Sequence, residues 1–308
     1  MQMRTPMPPV IDITFLIPAY NEARTIADVL DGIAALGLDY EAIVVDDGST
    51  DTTAAIVLAR ATPGGPVHLV RKPNGGKGAA LRCGIPHCHG DIVVVQDADM
   101  EYDPRDVPAL IEPIQREAAD VVYGSRLSGG RPQRAYMFWH LVGNRALSLL
   151  TGLLFNTTIT DMETGYKAFR LDALRQLRLT EDRFGIEPEI TGEVCRRRMR
   201  VYEIPISYYG RTHDEGKNIT WKDGFRAVFV LMRTRLRPLL SSALASVSSA
   251  SGASETAPVP ARPARAHAGS LTARRAWRGE PNGTRPSAGE LGFTGRQTLR
   301  VGDSLTRG

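Results

Sequence analysis

The chain has 308 residues, of which 42% are hydrophobic, and it carries a formal charge of +4 with a pI near 9.0. This length allows one large domain or two small ones with a sizeable core. Nine arginines and only four acidic residues fall in residues 241–308, so residues 1–240 are within one charge of neutral. The basic balance is therefore a poor argument for a nucleic-acid enzyme, and we expect no nucleic-acid partner.

Residues 1–10 form an N-terminal extension, and short β-rich runs then alternate with helical patterns. The predicted strands are Asp12–Ile17, Glu41–Val45, Val67–Arg71, Asp91–Gln96 and Asp120–Tyr123. The predicted helices between them are Glu22–Ala35, Thr52–Ala61, Lys77–Cys88 and Pro104–Glu117. This alternation predicts an α/β fold with a mostly parallel, Rossmann-like sheet flanked by helices. Such sheets bind ligands beyond the carboxyl ends of their strands, so the residues that follow each strand are the first candidates for a site.

The second part of the domain is less regular and ends in an amphipathic helix. Its predicted elements are a helix at Arg134–Leu154, a strand at Tyr166–Arg170, a helix at Glu189–Arg198, a strand at Arg200–Ile206 and a helix at Trp221–Leu240. From residue 241 to residue 308 the composition shifts to Ser, Ala, Gly, Pro and Arg without aliphatic periodicity. That composition predicts a disordered tail.

The cysteines and the N-terminus indicate an intracellular protein. Three cysteines cannot build a disulfide framework, and free thiols favour a reducing compartment. The first residues lack the features of a signal peptide, and no run of about 18 uncharged apolar residues is present. We therefore expect a cytoplasmic location without a membrane-spanning helix.

Polar side chains follow four of the predicted strands. The segments are Pro18-Ala19-Tyr20-Asn21-Glu22, Asp46-Asp47-Gly48-Ser49-Thr50-Asp51, Asp97-Ala98-Asp99-Met100-Glu101 and Gly124-Ser125-Arg126. Each string alone is a common turn or helix cap, but together they fall at one edge of the sheet. Asp97, Asp99 and Glu101 supply hard oxygen ligands that suit Mg²⁺ or Mn²⁺. Such ions usually bridge to a substrate phosphate, so the expected ligand is a nucleoside diphosphate.

The sequence resembles the family 2 inverting glycosyltransferases with the GT-A fold, through FLIPAYNEARTI, VVDDGSTD, NGGKGAALRCG, GDIVVVQDADMEYDP and DVVYGSR. It resembles more narrowly the dolichyl- or polyprenyl-phosphate mannosyltransferases, through DMETGYKAFR, RFGIEPEIT and YYGRTHDEGK. The resemblance implies a catalytic domain over residues 11–240. Its nucleotide-binding half is residues 11–123, and its acceptor half is residues 124–240.

The resemblance also implies roles for single residues. Nucleoside-binding positions match Pro18, Tyr20, Glu22, Val45 and Asp47. The nucleotide and metal site matches Asp97, Ala98 and Asp99, with Asp99 as the main metal ligand. The diphosphate-binding basic residues match Arg126, Arg211 and Lys217. Glu101 stands where the mannosyltransferases have a glutamine, and its extra charge leaves the donor open between GDP-mannose and a UDP-sugar.

The predicted reaction moves one hexose to an acceptor with inversion. The leaving nucleoside diphosphate gains negative charge, which a divalent cation, Arg211 and Lys217 would stabilise. A polyprenyl-phosphate acceptor needs no base, because its second pKa of about 6 leaves it largely dianionic. A hydroxyl acceptor needs one, and Asp161 is the best candidate; with a phosphate acceptor, Asp161 is instead a structural or sugar-positioning group. A third possibility is a nucleotide-sugar binding protein without transfer activity.

Two segments are candidates for contact with a membrane. Tyr136–Phe155 is rich in large apolar residues, and Trp221–Leu240 has an apolar stripe beside a face that carries Arg226, Arg233 and Arg237. A basic amphipathic helix can lie in the headgroup layer, although a packed helix shows the same period. The family resemblance favours a peripheral position at the cytoplasmic face of the membrane.

Two weaker signals stay open. The string Asn74-Gly75-Gly76-Lys77-Gly78 is either a turn that opens a helix, with Lys77 near the nucleotide, or a phosphate-binding loop. Glu187 and Glu189 are either a catalytic pair or residues that shape the acceptor side and cap a helix.

Overall fold

The computed structural model describes residues 12–131, 138–210 and 223–237. Its strands are β1 Ile13–Ala19, β2 Tyr40–Asp46, β3 Val67–Arg71, β4 Ile92–Val95, β5 Val121–Ser125, β6 Lys167–Arg170 and β7 Val201–Pro205. Its first helices are α1 Ile26–Ala34, α2 Thr53–Arg60, α3 Lys77–Gly84 and α4 Val107–Gln115. They are followed by α5 Phe138–Phe155, α6 Leu171–Arg175 and α7 Ile186–Arg196. Residues 223–237 are also helical and are called α8.

The seven strands form one sheet in the order β3-β2-β1-β4-β6-β5-β7. The β3-β2-β1-β4 part is parallel, whereas β6 runs antiparallel to both β4 and β5. The predicted mostly parallel α/β sheet is therefore confirmed. The chain leaves β1 toward β2 on one side and returns as β4 on the other, so the switch point where such sheets bind ligands lies between the ends of β1 and β4.

Helices cover both faces of the sheet. One buried cluster packs residues of α1, α2 and α4 against alternate positions of the strands, such as Phe15 and Val44. The other packs residues of α3, α6, α7 and α8 against the remaining positions, such as Leu16 and Val45. Burial on both faces explains why the strands read as continuous apolar runs rather than as alternating patterns.

The predicted elements agree with the structure except at short or irregular places. The sequence did not indicate α6, which has only five residues. The predicted helix at Arg134–Leu154 corresponds to α5, with residues 132–137 outside the described part of the chain. The N-terminal extension and the predicted disordered tail also lie outside it, so their description stays a prediction. Within the described residues, no helix is long and apolar enough to cross a bilayer.

Candidate active site

The end of β2 places the carboxylate of Asp47 against a glycine-rich loop. Asp47 is buried and accepts hydrogen bonds from the backbone N–H groups of Gly75, at 3.0 Å, and Gly76, at 2.6 Å. The ammonium group of Lys72 also pairs with Asp47. Gly76 has a φ of 97°, which favours glycine, and precedes the first residue of α3. The loop that resembled a phosphate-binding turn is therefore held by Asp47.

The end of β1 carries the other residues expected at the nucleoside. Pro18 and Val45 are paired across the parallel β1 and β2 strands. The side chain of Tyr20 is 48% exposed. The carboxylate of Glu22 accepts a hydrogen bond from the Thr25 hydroxyl at 3.0 Å. An exposed ring beside two paired strand ends forms a surface on which a planar base can lie.

The end of β4 brings three carboxylates into one turn. Asp99 accepts a hydrogen bond from the backbone N–H of Glu101 at 3.0 Å, and Met100 between them has a φ of 60°. The carboxylate of Glu101 accepts a hydrogen bond from the Tyr208 hydroxyl at 2.9 Å. Ala98 is buried, and its carbonyl oxygen accepts a hydrogen bond from Thr25 at 2.7 Å. This turn is thereby tied to both α1 and the segment after β7.

The residues at β4 fit a divalent cation that shares its ligands with a phosphate. Burial raises the pKa of Asp97, Lys77 opposes this shift, and the negative charge of Asp99 adds to it. Among the described residues, no group of three or more His, Cys, Asp or Glu side chains is arranged to hold a metal ion by itself. Mg²⁺ commonly binds one or two protein carboxylates and completes its coordination with substrate phosphate and water. The donor set at Asp97 and Asp99 matches that mode.

Arg126 and Asp161 form a buried ion pair. The guanidinium Nε and Nη2 atoms donate to the two carboxylate oxygens at 2.7 and 2.8 Å, and the Arg126 backbone N–H donates at 2.9 Å. Asn144 on α5 adds a fourth hydrogen bond at 2.9 Å. Burial raises the pKa of Asp161, but Arg126 and these hydrogen bonds outweigh it, so the pKa lies below its ordinary value. A fully buried carboxylate of this kind is a weak proton acceptor.

A chain of largely buried charged groups joins the nucleotide side to α7. The Lys77 ammonium lies 2.7 Å from Asp97 and 3.1 Å from Glu187. Lys167 pairs with the other oxygen of Glu187 and packs over the Tyr123 ring. Burial lowers the pKa of Lys77, but Asp97 and Glu187 outweigh it and raise the pKa. The sequence suggested Lys77 through its glycine-rich turn, whereas Lys167 sits inside a strand pattern that gave no signal.

Glu187 and Glu189 do not form a pair. Glu187 faces the buried lysines, whereas the Glu189 carboxylate accepts hydrogen bonds from the backbone N–H groups of Thr180, at 2.7 Å, and Glu181, at 2.8 Å. Glu189 therefore holds the segment that leads into α7 and lies on a different side of that helix.

The turn between α5 and β6 completes this side of the site. A β-carbon on Gly165 would lie 2.5 Å from a carboxylate oxygen of Asp97 and 2.6 Å from the Lys77 ammonium, so a larger residue there would displace this ion pair. The same turn carries Asp161 and Glu163. Burial raises the pKa of Glu163 to about 7, and the negative charge of Glu187 contributes.

The structure thus places the predicted residues at β1, β2, β4 and β5 along the carboxyl edge of one sheet. Asp161 is connected to this edge through its ion pair with Arg126. Lys77 and Lys167 also reach the site, through ion pairs with residues far away in the sequence. Arg211 and Lys217, the two cations expected at the diphosphate, lie outside the described residues.

Three arginines of α8 form ion pairs with carboxylates outside this helix. Arg226 and Arg233 lie 2.7 and 2.9 Å from the buried carboxylate of Glu181. Arg237 lies 2.6 Å from Glu189. These ion pairs neutralise the carboxylates of Glu181 and Glu189, although the Arg226 side chain stays 56% exposed. Contact between α8 and a membrane stays a prediction.

The exposed face of α8 is apolar. Phe225 is 70% exposed and Phe229 is 64% exposed, and Val228, Met232 and Leu236 lie on the same stripe. On α5, Trp139 is 79% exposed and Leu153 is 76% exposed. The Arg235 Nε donates to the Leu154 carbonyl at 3.0 Å, so the ends of the two helices are adjacent. Exposed apolar patches of this kind mark interaction surfaces.

The proteins that are similar in sequence to this chain include glycosyltransferases. A family model described as Glycosyl transferase family 2 matches residues 14–178. The chain is 32% identical over 214 residues to Glycosyltransferase AglJ of Haloferax volcanii, covering 69% of this chain and 68% of that protein. It is 30% identical over 216 residues to the undecaprenyl-phosphate mannosyltransferase of Micrococcus luteus, covering 66% of this chain and 85% of the relative.

A solved structure of similar fold contains a metal and a nucleotide. Glucosyl-3-phosphoglycerate synthase from Mycobacterium tuberculosis, in complex with Mn²⁺, uridine diphosphate and phosphoglyceric acid, matches with a TM-score of 0.57 at 25% identity. The match covers 73% of this chain and 78% of that structure.

Proposed function

The chain belongs to glycosyl transferase family 2, and on that premise we propose that it moves a single hexose from a nucleotide sugar to a polyprenyl phosphate, with inversion, at the cytoplasmic face of a membrane. Its activity as a glycosyltransferase follows from the family and its relatives. The donor, GDP-mannose or a UDP-sugar, and the lipid acceptor are part of the proposal.

The state of Asp161 is the observation that carries the choice of acceptor. A hydroxyl acceptor must lose a proton, and Asp161, the best base candidate in the sequence, is buried and neutralised by Arg126. A phosphate acceptor is already largely dianionic at neutral pH and attacks without a base. The similarity to an undecaprenyl-phosphate mannosyltransferase supports the same choice.

In the proposed reaction, an acceptor phosphate oxygen forms a bond to the anomeric carbon while the bond from that carbon to the donor diphosphate breaks. The nucleoside diphosphate leaves with the electron pair, so no proton is transferred. Asp47, Pro18, Tyr20, Glu22 and Val45 hold the nucleoside in this proposal.

The main electrostatic requirement of the reaction is to stabilise the negative charge that develops on the leaving diphosphate. Arg211 and Lys217 approach it in the proposal, and Arg126 contributes the guanidinium edge that Asp161 does not occupy. A divalent cation that Asp97 and Asp99 would share with the donor phosphates would supply further stabilisation of that charge. The sequence also assigned Glu101 to this metal, but the three carboxylates are not arranged to hold an ion together. Asp97 is kept in place by Lys77.

The apolar faces of α5 and α8 support the membrane position. Both faces are exposed and their helix ends adjoin, and Arg226, Arg233 and Arg237 of α8 pair with carboxylates of the protein rather than lying on the apolar stripe. We assign a lipid bilayer as the occupant, because a long-chain polyprenyl phosphate resides in one and aromatic residues favour the interface. A second copy of the chain is the alternative occupant that an experiment must separate.

The test combines donor and acceptor in one assay. The full chain is incubated with GDP- and UDP-hexoses, Mn²⁺ or Mg²⁺, and undecaprenyl phosphate in detergent. We expect organic-extractable sugar from one donor class, with release of an equal amount of nucleoside diphosphate. Asp99→Asn should lower the rate by about 100-fold or more, because stabilisation of the leaving group is lost.

Two outcomes would contradict the proposal. Transfer to a soluble hydroxyl compound with none to the lipid phosphate would overturn the acceptor. Binding of nucleotide sugar, seen as a raised melting temperature, without release of nucleoside diphosphate to any acceptor would indicate a binding protein.

A further inference from the structure

The side chain of Glu163 lies beside the proposed site. Glu163 Oε1 is buried and has no hydrogen-bond partner in the described part of the chain. A buried acceptor without a partner costs about 1–3 kcal/mol, and such groups are rare in native proteins. An ordered water or a bound ligand would supply the missing hydrogen bond.

The neighbours of Glu163 along the chain place it between the Arg126–Asp161 ion pair and the side of the site that carries Asp97 and Lys77. Two residues before it, Asp161 binds Arg126; two residues after it, Gly165 abuts Asp97 and Lys77. Asp97 belongs to the proposed metal and diphosphate side. In a nucleotide sugar the hexose is attached to the diphosphate, so the hexose must lie next to the groups that hold it.

Hydrogen bonds with the side chains of Lys167 and Glu203 restrain the backbone of the turn that carries Glu163. Lys167 donates to the Met162 carbonyl at 3.4 Å and also to the Thr164 carbonyl, on either side of Glu163. Glu203 accepts hydrogen bonds from the backbone N–H groups of Thr160, at 2.9 Å, and Asp161, at 3.2 Å. A carboxyl group on so restrained a backbone is suited to orient a ligand.

The local charge balance selects the class of ligand. Among the described residues, Lys77, Lys167 and Arg126 form ion pairs with Asp97, Glu187 and Asp161, and none of these pairs includes Glu163. An anionic group would be repelled by Glu163, whereas a hydroxyl adds no charge. A pKa of about 7 also lets this carboxyl accept from a hydroxyl or donate to one near neutral pH.

Resting on the proposed function, we propose that Glu163 hydrogen-bonds a hydroxyl of the transferred hexose and thereby contributes to the choice of donor sugar. Oε1 is the atom that makes this contact. A site that hydrogen-bonds a substrate hydroxyl rejects an analogue without it, because a buried polar group is then left without a partner.

The experiment is a double-mutant cycle between the residue and the sugar. Wild type, Glu163→Gln and Glu163→Ala are assayed with the accepted nucleotide hexose and its monodeoxy analogues, and kcat/KM is measured for each. We expect one analogue to lose about 10- to 100-fold with wild type, and about threefold or less with Glu163→Ala, where the carboxyl is already absent. The other analogues should lose equally with both enzymes.

Glu203→Gln is the matched control, because it perturbs the same turn through the backbone of Thr160 and Asp161. It should lower kcat/KM by the same factor for every donor. Binding of nucleoside diphosphate, measured by thermal shift, verifies that each variant folds. If Glu163→Ala does not fold, Glu163→Gln takes its place in the double-mutant cycle.

A uniform loss across all donors in the Glu163 variants would overturn the sugar contact and mark the residue as a structural group or a proton acceptor. That result differs from failure of the proposed function, in which wild type itself transfers no hexose from any nucleotide sugar to the lipid phosphate.

Discussion

In the Arg126–Asp161 pair, burial alone would raise the pKa of Asp161, but the guanidinium lowers this pKa and so keeps the carboxylate ionised. Removing the negative charge with Asp161→Asn leaves a buried guanidinium without its counterion. We expect the free energy of unfolding to fall by about 3–5 kcal/mol. Urea unfolding measures this loss, and nucleotide-sugar transfer should fall only in proportion to the folded fraction and to any displacement of Arg126.

Asp31→Asn is the matched control for this prediction. Asp31 pairs with Arg60 at 3.1 Å on the exposed surface, so its loss should cost about 1 kcal/mol or less. Unchanged stability of Asp161→Asn together with a large, selective loss of kcat would instead favour Asp161 as a base and a hydroxyl acceptor.

Glu163 makes the stability of the ligand-free protein depend on pH. Its pKa of about 7 exceeds its ordinary value of 4.5, and Glu187, Lys167, Arg126 and Asp161 are the charged groups around it. Between these values the folded protein keeps a proton that the unfolded chain has released, so this contribution to stability is lost as the pH rises through the window. Glu163→Gln should therefore be more stable than wild type at pH 8, by up to about 3 kcal/mol, and no more stable near pH 4.5.

Urea unfolding of both proteins between pH 4.5 and pH 8 measures the difference. Parallel pH profiles would show that Glu163 titrates normally in the folded state.

Helix α8 has the amphipathic period that the sequence predicts, but the sequence did not predict how the helix is oriented against the rest of the protein. Its apolar stripe and its arginine face are about 100° apart around the helix. The sequence predicts both faces, but the face that packs is a third one, on which Ala227, Val230, Leu231 and Thr234 are buried. The partners Glu181, Glu189 and Glu193 come from a different part of the chain.

This orientation gives a prediction for membrane binding. Phe225→Ser combined with Phe229→Ser should weaken binding to phosphatidylcholine and phosphatidylglycerol vesicles by about 10-fold or more, because two aromatic side chains no longer leave water. Vesicle co-sedimentation measures the effect, and the melting temperature should stay the same.

Leu58→Ser is the control, since Leu58 is 64% exposed on α2, outside the proposed membrane face. Vesicle binding that the double variant leaves unchanged would contradict the membrane assignment. If wild type is a dimer in solution and the double variant a monomer, the apolar face binds a second copy.

At the scale of the whole molecule, the ion pairs of Lys77 with Asp97 and Glu187 join the two halves of the predicted catalytic domain. We predict that residues 1–240 are sufficient for donor binding. A chain that ends at Leu240 should show the same thermal shift with GDP or UDP and Mn²⁺ as the full chain, because the tail supplies none of the proposed site residues.

A chain that ends at Lys222 is the informative comparison. It lacks Arg226, Arg233 and Arg237 and so leaves the buried carboxylates of Glu181 and Glu189 without counterions. We expect it to be strongly destabilised in urea unfolding. Loss of donor binding in the 1–240 chain would place the domain boundary further along the sequence.

The sequence by itself determined the α/β class, the succession of strands and helices along the chain, the family and the edge at which polar residues collect. These properties follow from apolar periodicity and from motifs of neighbouring residues, as in Asp97-Ala98-Asp99 after β4. The antiparallel direction of β6 and the short helix α6 escaped prediction, since four or five residues carry too little pattern.

Only the tertiary structure decided which charges are available for chemistry. Asp161 is neutralised by Arg126 from another strand end, and Lys77 reaches Glu187 on α7. Three α8 arginines pair with acids that precede or lie on α7. The pKa and the exposure of a side chain depend on burial and on ion pairs between residues far apart in the chain. For that reason the sequence could list the carboxylates and arginines, whereas the fold determined which of them meet each other and which are left to meet a ligand or a membrane.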